Sequence, residues 1–133
     1  MNWKKGVLAG ILAGIVLNII SFVLEMLPGK QEWYASTFPQ MMNAQGLAAL
    51  FTSLFLIGVF MGIIYDVIND SLPGSKAKKG FVYGIIVWLL AGTMWPVIMM
   101  GFASTYQWLS ELLIGLVEYI VAGTVVAYIY GKR

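Results

Sequence analysis

The sequence contains no cysteine and no histidine, and only 11% of its 133 residues are charged. Without cysteine there is no disulfide, lipid-modified thiol, thiolate metal site or cysteine nucleophile. Without histidine, zinc and haem lose their usual ligand and proton relays lose their usual carrier. No metal site and no cofactor is therefore expected, and the sequence points away from an enzyme. The scarcity of charge is equally restrictive, because a soluble domain carries about 25% charged residues to solvate its surface. A net charge of +2, with the basic residues spread over separate clusters, excludes a nucleic-acid groove.

What is present is hydrophobic length. Apolar residues make up 60% of the chain, and the mean hydropathy is +0.85. A membrane-spanning helix needs about 20 apolar residues. Four such stretches can be read, at about 5–27, 46–68, 80–100 and 107–130, so the chain is read as one all-α, four-span integral membrane domain over 1–133. Pro28-Gly29 and Pro73-Gly74 supply helix breaks after the first and second spans. The opening Met1-Asn2-Trp3-Lys4-Lys5 resembles a secretory signal, but its apolar run continues to Leu24 without a small-residue cleavage site, so a permanent span is expected. Lys4, Lys5, Lys76, Lys78, Lys79, Lys132 and Arg133 fall on one side and Lys30 alone on the other, which predicts a cell (inner) membrane protein with both termini cytoplasmic.

Two segment pairs look duplicated. Lys4-Lys5-Gly6-Val7-Leu8-Ala9-Gly10 parallels Lys78-Lys79-Gly80-Phe81-Val82-Tyr83-Gly84, and spans two and four end alike, consistent with one helical hairpin used twice in parallel. In lipid, small residues four apart mark close helix contact, because they let backbones approach. Here they are Gly6, Gly10 and Gly14, Gly58 and Gly62, Gly80 and Gly84, and Gly123 with Ala127, all in the cytoplasmic halves of their spans. These faces serve contacts within the chain, or between copies in a homo-oligomer, or with other membrane subunits. The opposite halves carry bulk, including Phe22, Phe51, Phe55, Trp95 and Trp108, so a bundle splayed at its outer end is predicted. Filling of that wider half by its own side chains is the simpler expectation; a cavity, a bound lipid or a partner helix is the alternative. The loop over 28–45 mixes Trp33, Tyr34, Phe38, Met41 and Met42 with polar residues and should lie along the headgroup layer, or act as a lid.

Polar residues inside spans need an explanation. Counting from the cytoplasmic ends at 1.5 Å per residue places Asn18, Ser53, Thr93 and Glu118 in one layer about 18–23 Å deep. An ionised Glu118 there costs at least about 2.5 kcal/mol, and no basic residue lies at that depth in any span to offset it. It is then protonated and hydrogen-bonded to Asn18, Thr93 or a carbonyl, or it binds a cation, faces water or meets another chain. Pro96 cannot donate to the Gly92 carbonyl and should kink span three, leaving that oxygen free beside Glu118. Glu111 lies one heptad before Glu118 on the same face, and Glu25 stands in the same relation to Asn18, so the two acids form a candidate path inward from the outer surface or are solvated interface carboxylates. Asp66 and Asp70 are expected to pair with nearby lysines or to be solvated. The eight methionines form no repeated metal-binding series and fit gap filling better than copper.

Three functions fit these residues. The first is a small non-enzymatic subunit packing through its glycine faces; the second is a small transporter or channel using Glu118 as proton or cation carrier; the third is an intramembrane lipid- or quinone-binding protein.

Overall fold

The computed structural model describes residues 2–131, and all regular structure among them is helical. Six α-helices follow in order: α1 Trp3–Leu24, α2 Lys30–Thr37, α3 Ala44–Ile68, α4 Lys76–Val87, α5 Met94–Met99 and α6 Thr105–Tyr130. A π-helical stretch, Trp88–Gly92, joins α4 to α5, so these pieces make one broken third span. Four stretches, Trp3–Leu24, Ala44–Ser71, Lys76–Met99 and Thr105–Tyr130, are long and apolar enough to cross a membrane. The chain is a four-span helical bundle.

Local chemistry sets the ends. The Asn43 side chain accepts from the Gly46 N–H at 2.7 Å and starts α3, and Ser104 caps α6 in the same way. Gly131, at φ 78, closes α6 in the left-handed conformation that glycine adopts without a Cβ penalty. The first span stops at Leu24, before Pro28, and Gly29, at φ 80, turns the chain into α2. The break in span three falls upstream of Pro96. Pro96 cannot donate to Gly92, and the chain relaxes into the wider π turn rather than a simple kink.

Glycine contacts build two hairpins. In the first, a Cβ placed on Gly6 would lie 2.8 Å from the Gly62 oxygen, one on Gly10 2.7 Å from the Gly58 oxygen, and one on Gly14 2.7 Å from the Phe55 oxygen. In the second, a Cβ on Gly80 would meet the Thr124 Cα at 2.7 Å and the Ala127 methyl at 3.0 Å, while Gly84 and Gly123 face each other. Such approach leaves no room for a side chain on either partner, and both hairpins use it. The glycine faces are thus engaged within the chain. The hairpins meet where α1 packs along α6, burying Ala9, Ala13 and Leu17 with Ala122 and Val126. By contrast, α3 and the third span form no comparable interface.

The end that carries both termini is tightly closed. Tyr65 makes edge contacts with Tyr83 and Tyr130 at 5.3 and 5.5 Å between ring centroids. The Tyr83 hydroxyl donates to the Met61 carbonyl at 2.6 Å, bridging span three to α3. Buried Asp66 accepts from the Asn2 N–H at 2.7 Å and from the Tyr130 hydroxyl.

Candidate functional site

The opposite end is splayed, and its bulky residues do not fill it. A cavity of about 850 Å³ lies there, walled by α1, α3, the third span and α6. This corrects the simpler expectation of a filled outer half. Phe22, Phe51, Tyr34, Phe38, Trp95 and Tyr119 give the cavity an aromatic lining, but they stand around its rim and sides instead of meeting at its centre. The reason is geometric: glycines pull each hairpin together at the terminal end, and nothing comparable draws α3 toward the third span.

Glu118, Glu111, Glu25 and Gly92 all line this cavity. Glu118 sits mid-helix in α6, is only 8% exposed, and has the Ser21 side chain within hydrogen-bonding reach. Glu111 and Gly115 stand above it on the same face of α6, as the heptad spacing requires. Gly115 keeps that wall open beside the Gly92 carbonyl and the Trp88 ring, and the Trp88 indole is held by donating to the Leu112 carbonyl at 3.0 Å.

Asn18, Ser53 and Thr93 do not join Glu118. The Asn18 amide donates to the Gly14 and Phe51 carbonyls at 3.3 and 3.1 Å, tying α1 to α3. The Ser53 hydroxyl bonds back to Leu50 and that of Thr93 back to Leu89, each within its own helix. Equal depth placed these residues in one layer, but helix rotation separates them. Ser21, one turn beyond Asn18, occupies the position expected of Asn18.

The least anticipated member is Lys30. Its chain folds back from α2 until the ammonium is fully buried, 2.8 Å from the Glu111 carboxylate and 2.7 Å from the Ser110 hydroxyl. The segment before it is stitched to α6: Tyr106 donates to the Pro28 carbonyl at 2.7 Å and Gln107 to that of Gly29 at 3.4 Å. The standing of Lys30 as the one basic residue in the 28–45 loop was the signal available in the sequence. Glu25, one residue beyond the α1 span, lies within hydrogen-bonding reach of Glu111. Burial first, and then the Glu111 carboxyl beside it, push the Glu25 carboxyl well above its ordinary value of 4.5. With Glu25 protonated, the Lys30 ammonium offsets the Glu111 carboxylate beside it, and the three groups together are nearly neutral. Glu118 is left without a counter-charge from it.

The loop forms a roof rather than an extended belt. Helix α2 and the turn after it cross the cavity mouth, where the Trp95 indole donates to the Tyr34 hydroxyl at 3.2 Å and the Phe38 and Trp95 rings are 5.8 Å apart. Burial and the Glu111 carboxylate raise the Tyr34 hydroxyl above its ordinary value of 10, so it stays a hydrogen-bond donor. Among the described residues, no group of three or more Asp, Glu, His or Cys side chains is arranged to hold a metal ion. The chain matches no protein-family model, no curated protein and no solved structure.

Proposed function

We propose that this protein is a small transporter of the cell (inner) membrane, with cytoplasmic termini, in which Glu118 carries a proton or cation. One observation carries this reading: the buried Glu118 forms the floor of a cavity in one half of the bundle, while the other half is sealed by glycine packing and the tyrosine cluster. A buried acid lacking a fixed partner charge is expensive in hydrocarbon, and a mobile positive charge offsets that cost. Two glycine-packed hairpins that meet chiefly along α1 and α6 are a natural pair of rocking bodies for exposing such a site to either side. The glycine faces pack against one another within the chain, which favours a carrier over a subunit that docks through them. The apolar lining also favours lipid or quinone binding as a second reading. In proteoliposomes holding the purified protein, proton or cation flux should fall to the level of empty liposomes on Glu118→Gln, with the fold retained. Undiminished flux rejects the carrier role.

A further inference from the structure

The cavity's walls, charge and opening together specify a ligand. Its sides are apolar and aromatic, and a volume of about 850 Å³ falls within the roughly 300–1,000 Å³ that enclose drug-sized molecules. Its roof is closed toward water by α2, through the contacts of Tyr34 and Phe38 with Trp95. Its flank is not closed: Leu47, Leu50 and Phe51 of α3 face Ala91, Gly92 and Trp95 of the third span across a gap that no helix fills, and the rim residues Leu50, Phe51 and Trp95 are 43%, 42% and 37% exposed. In a bilayer that flank opens onto acyl chains. A molecule dissolved in lipid therefore reaches Glu118 without crossing water.

The charge balance decides what that molecule carries. Lys30 is spent on Glu111, with Ser110 as its second partner, and burial holds Glu25 in its protonated form. The Ser21 hydroxyl lies within reach of Glu118, and a buried acid in an aromatic-lined cavity favours a positive charge over a neutral or negative one. We infer that the cavity takes a lipid-soluble amine, an apolar body with one protonatable nitrogen, which slips in sideways between α3 and the third span to pair with Glu118. This rests on the reading of Glu118 as a cation carrier and names its substrate class.

The test uses the purified protein in phosphatidylcholine nanodiscs, with empty nanodiscs as the partition baseline and three chain-matched probes: dodecyldimethylamine, dodecanol and dodecanoate. The amine should bind saturably above the baseline, the other two should not, and Glu118→Gln should weaken amine binding at least about tenfold, the loss of one charge-assisted contact. Ala91→Phe, at the lipid-exposed rim, should slow amine uptake several-fold and covers the case in which Glu118→Gln fails to fold. Absence of saturable amine binding, equal binding of all three probes, or full binding by a folded Glu118→Gln protein overturns the inference. An uptake rate unchanged by Ala91→Phe overturns the lateral route. Flux that depends on Glu118 with no amine binding removes this inference alone, whereas amine binding alongside flux indifferent to Glu118→Gln removes the carrier reading alone.

Discussion

The Lys30 ammonium and the Glu111 carboxylate lie 2.8 Å apart, fully buried on the lysine side, although 80 residues separate them in the chain. The pair fastens the roof helix α2 to α6 and neutralises one of the three acids that line the cavity. Removing one partner leaves the other charge buried and alone, which costs about 3–5 kcal/mol. Lys30→Ala should therefore lower stability by that order in detergent unfolding. Lys30→Met combined with Glu111→Leu should recover most of the loss, because it removes both charges together.

Backbone contact through glycine should be the main support of each hairpin. A Cβ on Gly10 would stand 2.7 Å from both the Gly58 oxygen and the Val59 Cα, so neither helix can give without moving backbone. Gly10→Val should cost at least the roughly 1–3 kcal/mol typical of overpacking. Gly101→Ala is the control: its Cβ would meet nothing closer than 3.4 Å, and its unfolding should stay within about 0.5 kcal/mol of the parent.

The three tyrosines at the terminal end should differ in their response to loss of a hydroxyl. Tyr130 donates to the Asp66 carboxylate, so Tyr130→Phe should destabilise by about 1.5–3 kcal/mol. Tyr83 donates to a neutral carbonyl, and Tyr83→Phe should cost about 0.5–1.5 kcal/mol. The Tyr65 hydroxyl is buried with no hydrogen-bond partner, so Tyr65→Phe should be neutral or stabilising. Unfolding of the three variants side by side gives the order.

Stability should fall as pH rises. Glu25 is raised above its ordinary value of 4.5 because burial disfavours its charged form. The folded state therefore holds a proton that the unfolded chain releases above about pH 4.5, so the contribution is complete below that pH and is lost progressively toward the folded value. Unfolding midpoints at pH 5 and pH 8 should differ in that direction, and Glu25→Gln should flatten the difference.

Much of this architecture was legible in the sequence. Hydrophobic length locates the four spans because hydrocarbon demands it, and the glycine spacing marks the faces along which α1 meets α3 and α4 meets α6. The heptad from Glu111 to Glu118 places both acids on one face of α6, and both reach the cavity. Depth counting failed for Asn18, Ser53 and Thr93, because depth carries no information about rotation around the helix axis. The pairing of Lys30 with Glu111 lay beyond reach for a different reason. The position of Lys30 depends on how α2 folds back over the bundle, a tertiary event with no signature in local periodicity. The cavity was one of two packings that the same large side chains allowed, and only the absence of an α3 interface with the third span decides between them.

The central claim is that Glu118 is reached from the splayed half of the bundle and closed off from the half that bears the termini. Because the chain has no cysteine, Glu118→Cys introduces a single thiol with no background. A lipid-soluble maleimide, entering through the open flank between α3 and the third span, should modify it, and a permanently charged thiol reagent should leave it untouched when added to the side of the termini. No modification by the lipid-soluble maleimide, or modification by the charged reagent from the side of the termini, contradicts the account.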